Sequence, residues 1–403
     1  MTSPIDNIDF FSQKARANPQ AVYELLRNTD PVFPTRGPDT NRTYWILTRY
    51  DDCVAMLKHF DIGKEFRKHL PPSLIGDIPE DTGPMAAING HLLDIDPPDH
   101  TRLRGLVHKA FTPGIVETLR PRIQAIADEL IDQMQGKAEI DLISDFGFPL
   151  PIIVIAELIG IPAADRDRFR AWSKSLLFGR VHEEVMTAAM EFVMYMTEMI
   201  EKRRTDPQPD LLSALIAATE NGQSMNQQEL MRMLFLLLVA GHETTVNLIG
   251  NGMFALLQHP DQLDKLKAEP GLIRSAVEEM LRYNGPVETT TIRWAFADVK
   301  LGGKVIPQGD MVLAALLAAN RDPAYFENPN TFDITREPNK HIAFGNGIHY
   351  CVGAPLARME GAIAIGSLVR RMPHLHLPDG VEDRLEWSES ILLHGLKALP
   401  VSV

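Results

Sequence analysis

The 403-residue chain carries 40 Lys and Arg against 53 Asp and Glu, a formal charge of −13, with 45% hydrophobic and 23% charged residues. That balance fits a globular protein with a large core and argues against nucleic acid as a partner, since phosphate backbones are bound through basic patches. Two cysteines, Cys53 and Cys351, indicate neither a disulfide framework nor a zinc cluster.

In chain order, the opening "MTSPIDNIDFFSQKARANPQ" lacks the charged start, apolar run and cleavage site of a signal peptide, which predicts a cytoplasmic protein. "TYWILTR" (43–49) reads as a strand, and "YDDCVAMLKH" as a helix that puts Cys53 in the core. Residues 63–93 mix prolines, glycines and isolated apolar residues, which predicts a long irregular loop. Helical spacing then dominates: 115–134, 185–202, 210–219, 225–258 and 271–283. The apolar runs 149–162 and 234–241 fall short of the ~20 residues a membrane span needs, so no membrane partner is expected. Strand character returns in 292–310, where Gly302 and Gly303 mark a hairpin turn. No repeat or linker divides the chain. The expectation is one domain over 1–403, mainly α with a small β-sheet: a helix-rich core at about 95–285 and 354–372, and β regions at about 43–49 and 292–310.

The stretch "AFGNGIHYCVG" (343–353) places Cys351 among Gly345, Gly347 and Gly353. Glycines permit unusual backbone conformations and close main-chain approach, and the helical "APLARMEGAIAIGSLVRRM" follows with Pro355 suited to its first turn. A sulfur near the positive end of a helix is favoured as thiolate. A lone thiolate cannot hold zinc, but one axial thiolate suffices for a haem iron, whose other ligands come from the porphyrin.

The helix at 225–258 opens with Ser224 and Gln227 at capping-box spacing and is apolar around most of its circumference. In its middle stand Gly241, His242, Glu243, Thr244 and Thr245. Two readings stay open: these side chains satisfy one another and Thr244 bends the helix at Gly241, or the break lines a pocket where a carboxyl and a hydroxyl pass protons.

"FGNGIHYCVG" (344–353) resembles the haem-binding signature of the cytochrome P450 monooxygenases, and "AGHETT" (240–245) resembles their oxygen-activating helix motif. "EMLR" (279–282) matches the family's Glu-x-x-Arg, and Arg336 in "FDITR" resembles the arginine completing its ion-pair cluster with Glu279 and Arg282. The similarity, of the soluble bacterial type, runs through nearly the whole chain and implies a single helical prism with a small sheet.

Carried over by position, the resemblance implies Cys351 as the iron ligand of haem b. His100 and Arg104 in "DPPDHTRLR", Arg293, and His349 would contact the haem propionates. It implies a monooxygenase that inserts one oxygen atom of O2 into a hydrophobic small molecule, mainly by hydroxylation, with Glu243 and Thr244 organising proton delivery. Electrons would come from NAD(P)H through a separate ferredoxin or flavodoxin and its reductase. Their docking charges would be Arg102, Lys109, Arg120 and Arg122, unless those merely form a solvated helix face. The pocket would be walled by Met85, Ala86, Ile88, Leu236, Val239, Ala240, Thr289, Thr290, Leu392 and Leu393, fitting a terpenoid, steroid, fatty-acyl or macrolide-like molecule. Glu288 either anchors a basic group there or faces solvent. A peroxide-driven peroxygenase and a non-catalytic haem-based sensor are the alternative readings, and a monomer is expected.

Overall fold

The computed structural model describes residues 10, 12–36, 42–76, 78, 80–179, 181–219 and 222–403. They form two compact units: Met1–Ile75 with Ala127–Gly147 and Thr244–Val403, and Gly76–Ile126 with Phe148–Glu243.

The first unit holds the sheets. Five strands lie in the order Val32–Arg36, Thr43–Leu47, Met311–Ala314, Arg293–Ala295, Ile62–Gly63, and all pair antiparallel except Thr43–Leu47 with Met311–Ala314. The expected strands at 43–49 and 292–310 are there. Met311–Ala314, buried at every residue, went unread because a four-residue apolar run has no alternation to show. Beneath the sheet, Leu47, Met56, Ile62, Val312 and Ala314 build a core with Cys53, whose thiol is fully buried and donates to the Leu47 carbonyl at 3.2 Å. Val299–Leu301 and Lys304–Ile306 form the hairpin, with Gly302 at φ +55° and Gly303 at φ +82°, the positive angles a two-residue turn demands. Helices Ile273–Asn284 and Ala354–Arg371 pack against one another.

The second unit is helical. Its main elements are Asp99–Ala110, Pro149–Ile159, Arg166–Phe178, His182–Thr205, Leu211–Ala217 and the part of Gln227–Gln258 up to Glu243. Three expectations need correction. The segment 115–134 is two helices, Pro113–Thr118 and Arg120–Met134, because Pro121 suits only a helix's first turn. The supposed loop at 63–93 contains Phe66–His69, Pro72–Ile75 and Gly83–Ile88, helices too short to show a period. The long helix is capped by Asn226, not Ser224: the Glu229 amide donates to Asn226 Oδ1 and the Asn226 amide to Glu229 Oε2, both at 2.9 Å.

Gln227–Gln258 is long and apolar enough to cross a membrane, but 67% of its most apolar window is buried. It is helical without a break through Gly241. There, glycine serves close packing: a Cβ would lie 3.1 Å from Ile155 Cδ1 on the Pro149–Ile159 helix.

Candidate active site

The cysteine loop belongs to the first unit. Gly345 and Gly347 take φ of +74° and +75°, and a side chain on Gly347 would sit 2.7 Å from the Leu57 carbonyl oxygen. Only glycine fits both demands. The turn is closed by the Tyr350 amide on the Gly347 carbonyl at 3.1 Å and the Cys351 amide on the Phe344 carbonyl at 3.0 Å. This leaves Cys351 exposed, two residues before Gly353 caps the 18-residue helix Ala354–Arg371.

A clasp that no motif announces holds this loop. Glu278 accepts from Arg358 Nε at 2.6 Å and Nη2 at 2.9 Å, and lies 3.0 Å from His341 Nε2. The Arg358 guanidinium covers the Phe344 ring at 4.4 Å and reaches the Tyr350 hydroxyl at 3.3 Å. Burial alone would raise the Glu278 pKa, but the hydrogen bonds from His341 and Arg358 hold it at about 2. The signal was faint because His341 and Arg358 stand on opposite sides of Cys351 in sequence and converge only in space.

Behind the loop, Glu279 and Arg282 are fully buried and paired through two bonds of 2.7 Å. Arg336 Nε lies 3.2 Å from both Glu279 oxygens, and the Asp333 amide and Asn339 side chain add donors at 3.0 and 3.1 Å. Arg282 gives its remaining hydrogens to the carbonyls of Asn320, Pro329 and Thr331. Every lone pair of this desolvated carboxylate meets a donor, the condition under which a buried ion pair persists.

Arg293 is buried on its strand, and His349 closes the short turn Gly347–His349. Thr244, the first residue of the long helix in this unit, is half-buried. The C-terminal segment is stitched to the strand region: the Glu288 amide donates to the Leu392 carbonyl, Thr289 Oγ1 to the Ile391 carbonyl, and Thr290 Oγ1 accepts from the Ala314 amide. Thr289, Thr290, Leu392 and Leu393 are thereby gathered, Thr289 itself buried with its hydroxyl engaged.

Glu288 overturns both of its readings. It is 1% exposed and paired with buried Arg16, and it accepts from the Tyr23 hydroxyl at 2.6 Å. It neither faces solvent nor is available to a ligand.

In the second unit, His100 is buried on the Asp99–Ala110 helix, and Arg104, one turn on, donates to His108 Nε2 at 2.7 Å. Ile88 is fully buried, Leu236 is buried, Met85, Ala86 and Val239 are half-buried, and Ala240 is exposed. Glu243 follows on the same helix, and desolvation raises its carboxyl pKa to about 7. The basic stripe is locally engaged. Arg102 pairs with Glu229, Lys109 donates to the Thr219 carbonyl at 2.8 Å, Arg120 pairs with Glu117, and Arg122 with Glu157 at 2.8 Å.

The donor set around the sulfur bears on the cofactor. Among the described residues no three His, Cys, Asp or Glu side chains gather to hold a metal ion. A single exposed sulfur in a rigid loop suits an iron that brings its other ligands with it, as haem does.

Comparisons with known proteins agree. The cytochrome P450 family model matches residues 167–399. Cytochrome P450 107B1 of Saccharopolyspora erythraea is 49% identical over 89% of this chain and 88% of its own length. The polyketide biosynthesis cytochrome P450 PksS of Bacillus subtilis is 44% identical over 96% of each chain, and its solved structure superposes with a TM-score of 0.91 over 98% of this chain and 99% of that one. The structure of myxobacterial CYP267B1 in complex with myristic acid is 46% identical, with a TM-score of 0.90 over 98% of each chain. The chain therefore belongs to the cytochrome P450 family and has its fold: it is an oxidoreductase that carries haem b and uses O2 with reducing equivalents from NAD(P)H through redox partners.

Proposed function

We propose that the protein hydroxylates a hydrophobic small molecule, with Cys351 as the residue that would hold the haem iron and His100, Arg104, Arg293 and His349 as those that would meet the haem carboxylates. The observation that carries this reading is the exposed Cys351, presented by two left-handed glycines directly before a long helix. When bound, the haem supplies O2 activation, and an axial thiolate favours O–O cleavage.

The chain's own part is to hold the sulfur, move protons and exclude water. The Glu278 clasp and the glycine turn fix the sulfur's position. Glu243, with its pKa raised to about 7, is about half protonated at neutral pH and is matched to general-acid work. Thr244, the next residue, would pass that proton or order the water that does. The apolar Leu236, Val239, Ala240, Ile88, Leu392 and Leu393 would favour an apolar ligand by ~25 cal/mol per Å² buried. Arg16 and Tyr23 occupy Glu288, so it offers no anchor for an amine.

The relatives support the substrate class: one is named for polyketide biosynthesis and another was solved with myristic acid. A polyketide, fatty-acyl or similarly long apolar molecule fits best. Electrons would arrive from a ferredoxin or flavodoxin in the cytoplasm, with the catalytic chain acting as a single-domain monomer. The test is the reduced CO spectrum, which should show the strongly red-shifted Soret band of thiolate ligation. A matched series of neutral, acidic and amino-bearing ligands should then give the low-to-high-spin shift only with the apolar members. A histidine-type carbonyl spectrum would end the reading.

A further inference from the structure

His242 has no role in the reading above, yet its surroundings in the second unit are specific. Its side chain is 1% exposed, on the long helix one residue before Glu243. Nδ1 lies 2.9 Å from the Leu238 carbonyl oxygen, one turn back. A carbonyl can only accept, so Nδ1 carries the hydrogen and, in the neutral ring, Nε2 presents a bare lone pair. Burial lowers the His242 pKa, which keeps the ring neutral.

Two groups face that lone pair. Ser173 Oγ, fully buried on the Arg166–Phe178 helix, is 3.1 Å from Nε2 against 3.4 Å from Nδ1, and its hydroxyl donates to Nε2. Glu243 Oε2 is 3.7 Å from Nε2 and meets no hydrogen-bond donor among the described residues. The Phe148 ring closes the cluster edge-on at 5.6 Å and 81°. Arg170, on the same helix as Ser173, lies over that ring at 4.6 Å.

An acceptor facing a carboxyl favours the carboxyl's protonated form. The COOH group can donate to the lone pair, whereas an ionised carboxylate would meet it with a lone pair of its own. We propose that His242, held by Leu238 and Ser173, is a positioning residue that keeps a proton on Glu243, and that Ser173 limits how tightly that proton is held. While the Ser173 hydroxyl occupies Nε2, the Glu243 hydroxyl is only weakly held there and stays available to donate elsewhere. Without Ser173, Nε2 captures the Glu243 proton. Without His242, the proton loses its acceptor. This inference rests on Glu243 acting as a proton donor, and the test separates the two.

The measurement is infrared titration of the ferric holoenzyme, following the carbonyl stretch of protonated Glu243, identified by its loss in Glu243→Gln. Ser173→Ala should move the titration midpoint up and His242→Phe should move it down, each by about half a unit to one unit, the size of one neutral hydrogen bond. His242→Gln, whose side-chain oxygen can replace the acceptor, should return the midpoint toward wild type. A purely packing role predicts no shift, or shifts of one sign in both variants, and either result overturns the proposal. Should His242→Phe fail to fold, Ser173→Ala and His242→Gln still decide by sign and by rescue. Peroxide release per O2 is read on the same variants. Midpoints that move as stated without any change in coupling uphold His242 as the positioning group and sink Glu243 as the donor. Altered coupling with unmoved midpoints sinks the His242 proposal alone.

Discussion

Glu278 and Glu243 are the same residue type, each on a helix and each largely withdrawn from water, yet their pKa values stand at about 2 and about 7. Both pay desolvation, which raises a carboxyl's pKa. The difference lies in what faces them. Glu278 meets a guanidinium and an imidazole that both give hydrogens, whereas Glu243 meets a ring nitrogen that has none to give. Donors turn a buried carboxylate into a fastener, and burial without donors turns it into a proton store.

The comparison breaks most completely if the loop that Glu278 fastens does not hold the iron ligand. Cys351→His should abolish the red-shifted reduced CO band altogether, and a band that survives would place the ligand elsewhere. Next in size, Glu243→Gln should lower turnover by about 10²-fold or more while leaving haem content unchanged, the range expected for a lost general acid. Steady-state rates and the haem spectrum check it. Thr244→Ala should act in the same direction but less strongly, with peroxide release rising as product falls.

Stability against pH sharpens the contrast, because the two residues should respond with opposite signs. Glu278 has a folded pKa of about 2, below the unfolded value of ~4.3. Its contribution is present above ~4.3 and is lost as pH falls through about 2. Screened by its part exposure, it should amount to about 1–2 kcal/mol, missing from Glu278→Gln at pH 6 and absent from both proteins near pH 2. Glu243, with a folded pKa of about 7, has no such cost below ~4.3 and lowers stability as pH rises toward and through 7. Glu243→Gln should therefore melt higher than wild type at pH 8 and equally at pH 4. Melting curves at these four pH values read both residues, and slopes of the same sign would undo the comparison.

The smallest effects belong to carboxylates paired at the surface. Arg120 and Arg122 pair with Glu117 and Glu157 in solvent. Charge reversal at Arg120 should change partner-supported turnover by less than about twofold, since exposed pairs are worth ~0.2–1 kcal/mol. A large, salt-dependent loss would restore the basic stripe as a docking face.

How far these sites could be read from sequence follows the same division. The glycines of 345 and 347, the hairpin glycines and the cap-to-helix passage after Cys351 declare themselves locally, because each answers a backbone demand within a few residues. The long helices were legible through their period. The clasp was not, since Glu278, His341 and Arg358 are separated by up to 80 positions, and nothing local marks a surface-patterned glutamate as a hub. Ser173 is a further case: a serine in an amphipathic helix carries no sign that it lies against His242. Glu288 was misread because its partners, Arg16 and Tyr23, lie more than 260 positions upstream.

That last pair has a consequence for synthesis. Arg16 leaves the ribosome early, and Glu288 emerges only after 272 more residues have been made. Until then the arginine has no carboxylate to meet, so the amino-terminal helices must wait, undocked, for about two-thirds of the chain to be translated. Once the pair forms, the start of the chain plugs the segment that carries Thr289 and Thr290. Trimming the first sixteen residues should leave a buried carboxylate without its cation and loosen the segment at Thr289 and Thr290 from behind, far along the chain from the residues removed.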